Sequence, residues 1–246
     1  MESEHNHGDT EHVLVSAEDL QVSRAFTYLF DDPRWPIKVT IGALLTVASL
    51  LVVPFFFILG YQVAIVRSVA AGDDSVLPEW KGMGRKFADG ASMFLITLVY
   101  SLPMLLVLGG VVVLGLLVGG NPDAVRHAFT TGIALIGFIV GWLVVVAYGL
   151  LLRLASPAIM GTFAKSGSIR QSLQVGVMAG LIKVDLKAYL LVLLLTVFVT
   201  STIAFLGFFA CCIGVFLTTF YAAVVNAHLI GQLTRLNPVC EGSNVG

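Results

Sequence analysis

The sequence predicts an all-α integral membrane protein with about six membrane-inserted helices paired as three helical hairpins. Three observations carry that prediction. Between Lys187 and Arg235 the chain runs 47 residues without Asp, Glu, Lys or Arg. At about 1.5 Å rise per residue this is on the order of 70 Å of helix, more than twice a hydrocarbon core of roughly 30 Å. The stretch must cross a bilayer, turn and return. Three further uncharged stretches, Val39–Val66, Gly90–Pro122 and His127–Leu152, repeat the pattern. Finally, 57% of the residues are hydrophobic and 12% charged, against roughly 25% charged in a soluble domain. Without lipid the chain could not cover that much apolar surface.

The elements follow in order. Residues 1–16 are polar, rich in Glu, His and Asp, and read as a disordered tail. No Lys or Arg precedes Arg24, so the basic start of a secretory signal is missing. Residues 17–236 form one polytopic membrane domain, and 237–246 a C-terminal tail. The first apolar run is too long for one upright span and too short for two full ones. Pro54 lies within it and can break a helix. A short hairpin, about Lys38–Val53 with Phe57–Ala70, accounts for this, with re-entry and full crossing both open. The second hairpin pairs about Ala91–Val118 with Thr130–Leu152 across Gly119-Gly120-Asn121-Pro122, a turn cluster. The third pairs Ala188–Leu206 with Gly214–Thr234 around Gly207–Gly214.

Charge gives the expected orientation. With three hairpins, 13 of the 14 Lys and Arg residues fall on one side and only Arg126 on the other. Cytoplasmic loops concentrate Lys and Arg, so a cytoplasmic membrane location with both termini cytoplasmic is expected. A basic amphipathic segment precedes each hairpin: about Ala17–Phe30 (Val22, Phe26, Leu29), Pro78–Asp89 (Trp80, Met83, Phe87) and Gly167–Lys183 (Ile169, Leu173, Val177, Leu181). Such stripes suit interfacial helices lying in the headgroup layer.

Short motifs add a family resemblance. Asp32-Pro33-Arg34-Trp35 precedes the first run, Gly60-Tyr61 lies in it, and Leu77-Pro78-Glu79-Trp80 follows. Phe87-Ala88-Asp89-Gly90, Tyr100-Ser101-Leu102-Pro103 and Ala227-His228-Leu229-Ile230-Gly231-Gln232 complete the pattern. Together, over about Leu20 to Leu236, they resemble the membrane family catalogued as domain-of-unknown-function family 4013. The resemblance implies a membrane-embedded helical domain and no assigned activity.

Candidate functional residues fall into two sets. Arg24, Arg34, Trp35, Trp80, Lys81, Arg85, Lys86, Lys165 and Arg170 are candidate interfacial or lipid contacts. Tyr61, Gln62, Asn226, His228 and Gln232 are candidate intramembrane polar groups, with His228 and Gln232 sharing a helix face. Arg67 and Arg153, at span ends, read as snorkelling anchors. Gly115–Gly119, Gly137–Gly141 and Gly176–Gly180 have small-xxx-small spacing, and the first two would permit close helix contact within the chain. Asp31, Asp32 and Glu79 are carboxylates at the membrane boundary, read mainly as turn and cap residues. A lipid-acting enzyme would need two of them and a His in one cleft.

All fifteen Asp and Glu residues lie outside the predicted spans, which weakens an ion-coupled transporter. A net charge of −1 leaves no field for nucleic acid. Three cysteines suggest neither a disulfide framework nor a zinc site. His5, His7 and His12 sit in the solvated tail, and no metal or cofactor is expected. The expected function is therefore a non-enzymatic structural, lipid-interacting or partner-binding membrane module, its partners being lipids and other membrane proteins. The alternative is a transporter or channel for a small or lipidic solute.

Overall fold

The computed structural model describes residues 20–73, 77–119, 123, 126–127, 132–174, 176, 186–209 and 211–236. Eight α-helices carry the described chain: α1 (Val22–Thr27), α2 (Trp35–Ala48), α3 (Val53–Ala70), α4 (Met83–Gly119), α5 (Ile133–Ser166), α6 (Ile169–Ser172), α7 (Leu186–Phe209) and α8 (Cys211–Leu236). Four stretches are long and apolar enough to cross a membrane: Val53–Ala70, Met83–Val113, Ile136–Ser166 and Gly214–Leu236. Trp35–Leu51 and Leu186–Thr202 are shorter apolar helices. This is an all-α membrane protein. Leu106, Leu116 and Leu194 stay 74%, 72% and 67% exposed. Helices apolar on every side and uncovered by protein must be covered by lipid.

The first hairpin breaks earlier than Pro54 suggested. α2 ends in a 3₁₀ turn, Ser49–Leu51, and Val52 makes the corner at φ 66°. A β-branched residue is strained in that region. Pro54 then falls in the first turn of α3, where its missing N–H breaks no helical hydrogen bond. The corner Leu50-Leu51-Val52-Val53 is exposed and wholly apolar.

The second hairpin is longer than expected, because the charges flanking its spans do not interrupt the helices. α4 starts at Met83 and absorbs Arg85, Lys86 and Asp89. α5 continues past Arg153 through Pro157. Pro157 leaves the Arg153 carbonyl without its helical donor, and the Ser156 hydroxyl donates to that carbonyl at 2.9 Å. α5 ends where Gly167, at φ 62°, donates its N–H to Phe163 O at 2.8 Å, a left-handed cap suited to glycine. α7 and α8 form the third hairpin, with Ala210 between them outside the described residues.

The three amphipathic segments differ from free interfacial helices. In the first, Ala25, Tyr28 and Leu29 are buried in the protein core. The second splits into a non-helical stretch, residues 77–82, and the start of α4. Of the third, only the short α6 and its flanks are described; Val177 and Leu181 lie outside the described residues.

α8 sits at the centre, packed against α7, α3, α2, α5 and α1. Glycines set its crossings. Phe220 occupies the space a side chain at Gly42 would need, Thr234 does so at Gly161, and Val69 Cβ lies 2.6 Å from a Cβ built on Gly231. α3 and α4 meet at a reciprocal glycine contact: a Cβ on Gly60 would run into Lys86 O, and one on Gly90 into Phe56 O. These are not the pairs the spacing suggested. Gly137 and Gly176 have nothing within 4 Å, and Gly141 meets only Val111 Cγ2 at 3.2 Å. Gly180 lies outside the described residues, as do the surroundings of Gly115 and Gly119. Gly60→Ala and Gly90→Ala should therefore each lose about 1–3 kcal/mol through overpacking. Gly137→Ala should lose none, as read from melting in detergent.

Candidate functional site

Arg67, which reaches both Asp89 and Ala164, and Gly231, which meets Val69, bring the end of α3, the start of α4 and the ends of α5 and α8 together. Gln232 Nε2 donates to Gln21 O at 3.1 Å, joining the end of α8 to the segment before α1. Arg67 Nε donates to Ala164 O at 3.1 Å, joining α3 to α5. Tyr100 OH donates to Ser172 O at 3.1 Å, joining α4 to α6. The Tyr189 hydroxyl donates to Leu154 O, joining α7 to α5. The buried core lies where these ends meet.

Within it is a charge cluster built from the two segments that flank the first hairpin. Lys38, in the first turns of α2, is buried there with Asp32, their side chains 4% and 1% exposed. Lys38 Nζ lies 2.6 Å from Asp32 Oδ2 and donates to Leu77 O at 2.5 Å. Glu79 Oε1 is 3.2 Å from the same ammonium and pairs on its outer side with Arg34. Asp32 Oδ1 accepts the backbone N–H of Arg34 at 2.7 Å, capping the turn that leads into α2. All three ammonium hydrogens have acceptors, as a buried lysine requires.

Aromatic rings close the cluster on its inner side. Trp80 stacks on Tyr61, with centroids 4.1 Å apart and planes at 9°, and Phe220 lies beyond both. Trp80 Nε1–H donates to Lys38 O at 3.1 Å, and Tyr61 OH to Pro78 O at 3.0 Å. Burial would raise the Asp32 carboxyl. The hydrogen bonds from Lys38 and the Arg34 N–H, with the charges of both residues, outweigh it and hold Asp32 below its ordinary 3.8. Glu79 is held below 4.5 first by its bond with Lys38, against desolvation, with Lys38, Arg34 and Lys81 adding their charge.

The remaining sequence candidates divide. Trp35 is half-buried, edge-on to Phe30 at 5.2 Å. Trp80 is a packing and hydrogen-bonding residue rather than a free interfacial anchor. Arg24 is half-buried on α1, while Lys81, Arg85, Lys165 and Arg170 are exposed. Lys86 is half-buried and donates to Lys81 O at 2.8 Å. Arg67 does not snorkel: it pairs with Asp89 at 3.0 Å. Gln62 is half-buried. His228 is buried, tilted against Tyr28 at 4.4 Å, with Nδ1 3.1 Å from Gln232 Nε2. Gln232 thus links Gln21 O and the His228 ring, one turn away on the same helix. Asn226 Nδ2 donates to Thr200 Oγ1 at 2.9 Å, tying α8 to α7. These polar groups therefore act as contacts between elements.

Lys38 is a residue of the site that the sequence candidates do not include. A cation in the first turn of a helix opposes the helix dipole, so its placement signals a nearby carboxylate. Asp32 and Glu79 do converge, but on a lysine rather than a histidine. Among the described residues no three His, Cys, Asp or Glu side chains gather as a metal site. The N-terminal histidines lie outside the described residues.

The motifs that build this cluster are those of the family resemblance, and the comparison with family models decides it. The model described as "Protein of unknown function (DUF4013)" matches residues 47–226. The chain belongs to this family. The DUF4013 match takes in Gly60-Tyr61, Leu77–Trp80, Phe87–Gly90 and Tyr100–Pro103. It stops short of Asp32–Trp35 and the segment from Ala227, which the resemblance had included. No curated protein and no solved structure matches the chain.

Removing one partner of the buried pair leaves the other charge uncompensated. Lys38→Met should lose about 3–5 kcal/mol of stability, and Asp32→Leu combined with Lys38→Met should recover most of it. Arg34→Gln, at the exposed pair, should change stability by about 0–1 kcal/mol. The depressed Asp32 carboxyl also sets a sign for pH. Its contribution is complete above the unfolded value of 3.8 and is lost as pH falls through the lower folded value. Asp32→Asn should flatten that acid limb when melting temperature is followed against pH.

Proposed function

We propose that this chain is a non-enzymatic, lipid-interacting membrane module whose charged end faces the anionic cytoplasmic leaflet, with both termini on that side. What supports this is the gathering of Arg34, Lys38, Arg67, Lys81, Arg85 and Lys86 where the charged helix ends meet. Lys81, Arg85, Lys165 and Arg170 are exposed there, while the inner charges Asp32, Lys38 and Asp89 are engaged within the protein. The inner charges fix the helix ends, and the exposed ones lie where headgroups can reach them. Structural support of neighbouring membrane proteins fits the same arrangement, since the outer halves of α4 and α5 are uncovered.

A second reading, a transporter or channel for a small or lipidic solute, draws on one observation. Asn226 Oδ1, Gln232 Oε1 and Thr196 Oγ1 are buried without a hydrogen-bond partner among the described residues. Against it, Tyr61, His228 and Gln232 are packed into the core. Solute flux into proteoliposomes separates the two readings.

Each cation near an anionic surface contributes about 1 kcal/mol. The full chain, purified in detergent, should retain phosphatidylglycerol over phosphatidylcholine in native mass spectrometry. Neutralising Arg24, Arg34, Lys81, Arg85, Lys86, Lys165 and Arg170 to Gln should remove that preference. Equal retention by the variant would contradict the proposal.

A further inference from the structure

We infer that the entrance of α4 is a discrete site for one anionic phospholipid, with its phosphate at Lys81, Lys86 and Arg85 and an acyl chain along the neighbouring α3–α4 aromatic ridge. The inference rests on the lipid-interacting reading and narrows it to one place.

Three cations fall within six residues there. Lys86 bends back so that its ammonium donates to Lys81 O at 2.8 Å, which brings it beside the residue 81 backbone and leaves two of its hydrogens for a ligand. Gly82, at φ 66°, makes the turn, and nothing lies within 4 Å of the Cβ position of Gly82 or Gly84. Arg85 is 76% exposed, and its charged contact among the described residues is Asp89 Oδ2 at 4.0 Å. Arg67 already holds that oxygen at 3.0 Å. Glu79, the other nearby carboxylate, is taken by Lys38 and Arg34. Among the described residues, both neighbouring carboxylates, Glu79 and Asp89, are engaged by other cations, so positive charge is in local excess there, which favours an anion.

The surface beneath selects an amphiphile rather than a free anion. Lys86, Phe87 and Gly90 share the face of α4 that meets α3. From Phe87 the rings continue through Phe56 at 5.4 Å and Phe94 at 5.3 Å to Phe55 at 6.5 Å. Seven residues of α4 separate Phe87 from Phe94, about 10 Å of depth. Phe87 and Phe55, at either end of the ridge, are 36% and 38% exposed. Cations at the boundary above a partly open aromatic strip match a phosphate above a hydrocarbon chain.

The test uses the full chain in detergent and two variants of equal charge change. Lys81→Gln/Arg85→Gln/Lys86→Gln removes the site; Arg24→Gln/Lys165→Gln/Arg170→Gln removes the same charge elsewhere. Native mass spectrometry with phosphatidylglycerol should show the tightest-bound lipid weakened roughly fivefold per charge, on the order of 100-fold for the first variant. The second variant should keep that lipid. The exposed pair Lys81→Gln/Arg85→Gln alone should show an intermediate loss, which guards against misfolding at the half-buried Lys86. Equal loss in both triple variants would overturn the site while leaving general lipid attraction standing. No loss in either would overturn both. Inorganic phosphate should compete only weakly; competition as strong as that of phosphatidylglycerol would overturn the acyl-chain ridge.

Discussion

The buried pair between Asp32 and Lys38 is the constraint on which the arrangement depends. A buried ammonium must find an anion and satisfy its hydrogens. Here it takes Asp32 from the segment before the first hairpin and Leu77 O and Glu79 from the segment after it. The start of α2 and the segment that follows α3 are thereby tied to one place. The two ends of this hairpin therefore lie side by side, whatever depth the corner reaches. The apolar corner at Leu50–Val53 fits such a hairpin, since it carries no charge to hold it in water.

Around that clasp the remaining contacts are short-range. Glycines let the backbones of α3 and α4 touch at Gly60 and Gly90, and Gly231 admits Val69 at the crossing of α3 and α8. Apolar association gains little inside lipid, so close packing and hydrogen bonds must hold the helices. The Asn226–Thr200 and Gln232–Gln21 bonds supply some of the latter. Beyond Phe94, α4 runs on to Gly119 with α5 beside it, linked by the Tyr148 hydroxyl at Tyr100 O, 2.7 Å away. That outer hairpin is where lipid does the covering.

Much of this was legible in the sequence. Uncharged runs located the hairpins, because lipid exposure acts on every residue of a span and leaves a long signal. The family motifs were legible too, and the structure gives several of them physical jobs: Leu77 and Glu79 receive Lys38, Trp80 stacks on Tyr61, and Gly90 meets α3. The partnerships were not legible. Arg67 looked like an anchor because nothing in its neighbourhood along the chain reveals Asp89, 22 residues away. Gly137 and Gly60 are equally good small residues in sequence, and only the tertiary crossing separates them. Helix ends were missed for a related reason. Flanking charges suggest the boundary of a span, whereas α4 and α5 continue through them, with the backbone bond that Pro157 removes replaced by Ser156.

The most direct test is a cross-link between Arg34→Cys and Glu79→Cys in intact membranes, with the three native cysteines replaced by serine. A membrane-impermeant bis-maleimide, added from one side at a time, should join the two positions within one chain from the cytoplasmic side only. Reaction of the two cysteines from opposite sides, with no internal product, would contradict the clasp and the topology built on it.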